Sequence, residues 1–283
     1  DPAVASRRAD GEGLHLMAAQ DITAAPWPRW RLFLGLAVVA TVGLVLFGGL
    51  VATMLALLVP TTPRTEQADV VAAEPSGDAR RNAIAASSLP EVPRDARWPH
   101  APAAVPPPEI TIPVSASLGP AGVSSGFPRT PEGALGQLAA IEVRVLEAMS
   151  IPVLNQVHLA WVGPGGPELA AWEMTADVQA FLGAVPHEAP DRIDDTTTVT
   201  VVPVGAQVKG TDGPDWVLAC VMVEVRATVA TDARMAYGHC ARMVWANDRW
   251  LIAPGVPPAA VDGAWPGTQA FIDAGWKTWR QAS

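Results

Sequence analysis

Residues 32–59 form a run of 28 consecutive residues without a charge, LFLGLAVVATVGLVLFGGLVATMLALLV. The hydrocarbon core of a bilayer, about 30 Å thick, needs roughly 20 apolar helical residues to cross it. Inside lipid every backbone N–H must find an internal partner, so a lone span has to be a helix. Trp27 and Trp30 stand just before the run, where indoles favour the membrane interface, and Pro60 and Pro63 end it. A secretory signal has an apolar region of about 7–15 residues, half this length, so the run predicts an uncleaved anchor. Arg29 and Arg31 flank its N-terminal side, whereas Arg64 on the other side is followed by Glu66 and Asp69. That bias places residues 1–31 in the cytoplasm and everything after residue 59 outside. No second run of this kind follows, which excludes a multi-pass transporter. Within the span Gly48, Ala52 and Ala56 form a row of small residues that would let two helices approach closely. The plainer reading is that Gly and Ala are common in membrane helices.

Fourteen of the 28 prolines lie between Pro60 and Pro131. Residues 60–125 show little apolar periodicity and include Pro106-Pro107-Pro108, so the expectation is a disordered linker. Within it, EITIPVSAS at 109–117 has β-type residues suited to a short edge strand, weakened by Pro113. Residues 132–283 hold 17 acids against nine bases, nearly the whole net charge of −9. A domain that neutralises phosphates needs a basic face, so nucleic acid is not an expected partner.

Residues 126–283 read as one folded domain. Thr130-Pro131-Glu132 is a helix start, with a Thr cap, Pro at the first position and an acid in the first turn. Leu135, Leu138, Ile141, Val145 and Met149 follow at helical spacing. Val153, Leu154, Val157 and Trp161 suggest a second helix, and residues 168–185 a third. The pattern then changes to strands at residues 196–208, 216–229, 235–245 and 250–253, with a turn at Asn247-Asp248. Thr268 caps a last short helix carrying Phe271, Ile272, Trp276 and Trp279. The predicted class is α+β: a curved antiparallel sheet of about four strands, packed on one face by three N-terminal helices and one C-terminal helix.

This order of elements resembles the cone-shaped nuclear transport factor 2-like fold. With an anchor and a linker in front, the chain resembles the single-pass membrane scaffold proteins of conjugative type IV secretion systems. GFPRTPEGALGQLAAIE at 126–142 and WPGTQAFIDAGWKTWR at 265–280 are similar to membrane proteins of actinobacterial mobile elements. The resemblance implies a cone-like outer domain that assembles with itself and with other envelope proteins. Its motifs are packing and capping residues, not catalytic ones.

Candidate chemistry is sparse. If 229–231 is a turn, Cys220 lies opposite Cys240, close enough for a disulfide, which an outside location would favour. The alternative is two small buried residues. Two thiols without a CxxC or a second His pair are too few for a metal. Tyr237 and His239 share one strand face, and with Asp177, Asp194 or Asp195 could do acid–base work in a cone pocket. The competing reading is a polar edge of a packed sheet. His158, beside Trp161, reads as a partly buried surface histidine. GVSSG at 122–126 matches the nucleophile-elbow spacing but lacks a helix directly after the serine. No cofactor, catalytic set or small-molecule substrate is expected. The leading expectation is a non-catalytic, membrane-anchored scaffold of a cell-envelope machine, most specifically conjugative DNA transfer. The alternatives are an extracytoplasmic ligand-binding sensor, and a small lyase or isomerase.

Overall fold

The computed structural model describes residues 77–185, 189–229 and 231–283. The tail 1–31, the anchor 32–59 with Gly48, Ala52 and Ala56, and residues 60–76 lie outside the described residues. Among those described, no helix is long and apolar enough to cross a membrane.

The folded unit is mixed α+β, built on a strongly curled sheet. Its helices are α1 (Gly77–Ala86), α2 (Pro131–Ala148), α3 (Ile151–Trp161), α4 (Glu173–Ala184) and the one-turn α5 (Gln269–Asp273). The strands are β1 (Glu109–Ile112), β2 (Ser117–Leu118), β3 (Ser124–Ser125), β4 (Thr198–Thr211), β5 (Trp216–Thr228), β6 (Asp232–Ala246), β7 (Arg249–Ile252) and β8 (Lys277–Gln281). Six of them form one sheet in the order β1-β8-β4-β5-β6-β7, antiparallel except for the parallel pair β1/β8. The pairing of β4 with β5 shifts register between Pro203 and Gly205 and again between Val208 and Gly210. Such bulges bend a strand and increase its twist, and they give Pro203 a place where its missing donor does no harm. Asn247 and Asp248 close the β6–β7 hairpin with both φ angles positive, 52° and 57°, as a two-residue turn of matching twist requires.

The start of α2 follows its local chemistry. Pro131 occupies the first turn and Thr130 Oγ1 accepts from Gly133 N–H at 3.1 Å. The apolar positions of α2 (Leu135, Leu138, Ile141, Val145) pack with Leu154, Val157 and Trp161 of α3 against one sheet face, where they meet Val217, Ala219, Val221 and Val223 of β5.

Five expectations are corrected. First, residues 77–125 are folded rather than a disordered linker. Ala85, Ile112 and Val123 are fully buried, and Arg81 Nε donates to Asp212 Oδ2 at 2.7 Å. The prolines hold extended straps that tie back through the main chain, as where Ala103 N–H donates to Gly267 O at 2.8 Å. A strap needs few apolar residues of its own when the sheet supplies the surface. Secondly, the sheet has six strands, because β1 and β8 add to the four expected. Thirdly, both sheet faces are covered. Trp216, Leu218, Cys220 and Met222 alternate with the helix-facing residues of β5 and pack under α1 and the segment from Ala253 to Trp276. The eight successive buried residues that open β5 are the mark of a strand enclosed on both sides. Fourthly, Trp276 and Trp279 do not share a helix. Thr268 caps α5 through Phe271 N–H, but Gly275, at φ 82°, turns the chain and the tryptophans continue into an extended segment. The third helix is also shorter than expected, a 3-10 turn at Leu169–Ala171 preceding α4.

Candidate functional site

Three elements converge to make a buried polar cluster. On β6, Tyr237 and His239 stand two residues apart and so share a face. Their rings are stacked, with centroids 6.4 Å apart. From α2 comes Glu142, wholly buried beside Ile141 in the stripe that faces the sheet. Helix α4 brings Glu173 and Asp177 from successive turns of one face. His239 Nδ1 lies 2.8 Å from Glu142 Oε1, and its Nε2 lies 3.5 Å from Glu173 Oε2. The Tyr237 hydroxyl donates to Asp177 Oδ2 at 2.7 Å and lies 3.4 Å from Glu173 Oε1. Glu142 Oε2 is buried and has no hydrogen-bond partner among the described residues.

Burial governs the charges. It pushes the Glu142 carboxyl up to about 7, although protonated His239 works against it. For His239 burial alone would lower the pKa, but Glu142, Glu173 and Asp177 together outweigh it and hold the imidazole at about 9. Burial likewise raises Asp177, and burial with the surrounding carboxylates raises Tyr237 well above its ordinary value. The tyrosine is therefore a hydrogen-bond donor at neutral pH, and the histidine is cationic.

A pH dependence of stability follows. The folded pKa of Glu142 lies above its ordinary 4.5, and that of His239 above its ordinary 6.5. The native state thus holds protons that the unfolded chain has already released, and stability falls as pH rises. Glu142 contributes its loss between about 4.5 and 7. The contribution of His239 is complete below about 6.5 and is lost as pH rises through about 9. Urea unfolding should show higher stability at pH 6 than at pH 9. Glu142→Gln should flatten the slope over both ranges, because Glu142 is also the main group that raises His239. A stability that rises over the same range would contradict the charge assignment.

Of the carboxylates weighed from the sequence, Asp177 is found against Tyr237. Glu142 and Glu173 complete the cluster without having been singled out, and Asp194 and Asp195 belong to the turn before β4. Both missed residues carried a signal. Glu142 interrupts an apolar stripe, and Glu173 and Asp177 form a like-charged i,i+4 pair, which is unfavourable on a helix without a nearby cation or proton. His158 is placed away from this cluster: its Nε2 lies 2.8 Å from Pro167 O and its ring sits against Trp172. Ser124 of the GVSSG segment lies on β3, where its carbonyl accepts from Gln137. Cys220 and Cys240 are directly paired across β5 and β6, with Cα atoms 4.0 Å apart, and are joined as a disulfide. Among the described residues no group of three or more His, Cys, Asp or Glu is arranged to hold a metal ion.

Beside the cluster lies a cavity of about 90 Å³, bounded by Trp172, Glu173, His239, Arg242, Ile252 and Gly255 among others. A more open groove of about 400 Å³ lies between α2 and the sheet, lined by Phe127, by Arg144 and Glu147 of α2, by Pro203 of β4 and by Trp279 of β8. No known protein family, no curated protein and no solved structure matches this chain.

Proposed function

We propose that this chain is a membrane-tethered extracytoplasmic assembly module, a non-catalytic part of a cell-envelope machine. The observation that carries the reading is the packing of the sheet. Its helix-facing side is filled by α2 and α3, and the polar groups of the cluster are spent largely on one another. The space left beside them, about 90 Å³, is small for a metabolite, whose pocket is usually about 300–1,000 Å³, and the open groove of about 400 Å³ beside α2 is lined by none of the cluster residues. The disulfide supports an oxidising compartment, and the charge-free run at 32–59 supplies the tether. Conjugative DNA transfer is the most specific setting, on the resemblance of residues 126–142 and 265–280 to mobile-element scaffolds. A cone-like, nuclear transport factor 2-like relationship belongs to the same proposal.

Cross-linking of the full-length protein in its native membrane should trap oligomers, and protease added to intact spheroplasts should remove the C-terminal domain. A monomer under all cross-linking conditions, or a domain cleaved only after lysis, would overturn the reading. A second reading, acid–base catalysis, is favoured by one feature: a cationic histidine borders a cavity together with a half-exposed glutamate. Catalysis would lose at least a hundredfold in Glu173→Gln, whereas assembly would be indifferent to that change.

A further inference from the structure

β8 pairs with β4 only at Gly205 and Ala206, and the two strands part where β4 shifts register after Pro203. Helix α2 closes one side of that fork. Gly136 lets Phe127 pack against the helix, since a Cβ there would lie 2.6 Å from the ring. The groove of about 400 Å³ lies in this fork, with Phe127, Val143, Pro203 and Trp279 as its larger apolar walls. A space of that size is within the range of small-molecule pockets.

The charged residues that line it are Arg144 and Glu147. They stand three positions apart on α2, a spacing at which opposite charges readily pair. Here they do not pair with each other, nor with any other ionised group among the described residues. Each is pinned instead to main chain on a different wall. Arg144 Nε donates to Ala121 O at 2.9 Å, and Glu147 Oε1 accepts from Val201 N–H of β4 at 3.2 Å. The turn that holds Arg144 is strained: Ala121, which is not a glycine, sits at φ 55°, followed by Gly122 at φ 74°. Such backbone persists where its surroundings fix it, and it gathers at ligand sites. Gly122 also lines the groove, and a Cβ on it would come within 3.2 Å of Arg144 Nε, so the glycine leaves the guanidinium its place at the wall. The fold thus displays one cation and one anion, held apart, beside an apolar trough.

We propose that this groove binds the zwitterion of an apolar α-amino acid, of leucine to phenylalanine size. Its carboxylate meets the Nη groups of Arg144, its ammonium meets Glu147, and its side chain lies against Phe127, Val143, Pro203 and Trp279. A planar carboxylate matches the fork of a guanidinium, and an ammonium supplies three donors to a carboxylate. A ligand with one charge leaves the other protein charge unmatched, which is the source of selectivity. The site goes beyond the assembly reading and stands without it.

The test is ¹⁹F NMR of 4-fluoro-L-phenylalanine titrated with the full-length protein. A saturable shift is expected, reversed by phenylalanine and by leucine. N-acetylphenylalanine lacks the ammonium and phenylalaninamide lacks the carboxylate. Each should displace the probe roughly tenfold less well than phenylalanine. Arg144→Gln and Glu147→Gln each keep an amide that can hold Ala121 O or Val201 N–H, and each removes one charge. Either should weaken binding by about tenfold. Should one variant fail to fold, the other and the two blocked ligands still decide. Absence of a saturable shift, blocked ligands that displace as well as phenylalanine, or unchanged affinity in every folded variant would overturn the site.

Discussion

Replacing His239 with alanine should destabilise the domain by about 3–5 kcal/mol at neutral to mildly alkaline pH. The substitution leaves Glu142 wholly buried with neither oxygen paired, since Oε2 is already without a partner among the described residues. A loss of this size is a large fraction of the 5–15 kcal/mol by which domains are usually stable. It should appear in urea unfolding as a lower midpoint with an unchanged slope. Removing the pair together is expected to be far milder. With both positions apolar and of similar volume, as in Glu142→Leu with His239→Leu, most of the stability should return, because no charge is then stranded. A single His239→Ala substitution that costs under about 1 kcal/mol would mean that Glu142 reaches water or another partner.

Loss of the Cys220–Cys240 disulfide should be the other large effect. The bond closes a span of 20 residues across the longest hairpin of the sheet. In the chain-entropy description a loop of that length is worth about 3 kcal/mol. The double substitution to alanine should therefore lower the melting temperature by roughly 10 °C for a domain of this size. The native protein in reductant should show the same loss, once unfolding has exposed the two buried sulfurs. A melting temperature unaffected by both treatments would show that the hairpin's register, not the bond, holds the strands together.

How much of this could be read in the chain depends on the range of the interactions concerned. Thr130-Pro131 marked the start of α2 because capping is decided within four residues. The β5–β6 register could be counted outward from a short turn, and Cys220 and Cys240 meet where the counting places them. The edge strand expected within 109–117 forms at 109–112; its β-branched residues carry the signal, but nothing local points to its partner, about 170 positions away at β8. Residues 77–108 looked too polar to fold because their burial is borrowed from the sheet. Trp276 and Trp279 looked helical because a spacing of three fits a helix, until Gly275 is seen to turn the chain. Tyr237 and His239 could be placed together by strand alternation alone. Their carboxylates come from two separate helices, and nothing local says which turns of α2 and α4 will face β6.

β8 stands between β1 and β4, so the first strand of the sheet in sequence is held by the strand that comes last. Glu109 and Arg280, which form an ion pair across that seam, are separated by 171 positions. Long-range pairings of this kind form late. In a chain synthesised from its N-terminal end, residues 109–112 must wait unclasped until almost the whole domain has been made. Closure of this seam therefore waits on the last residues of the chain, and a chain lacking 277–281 leaves β1 without its partner.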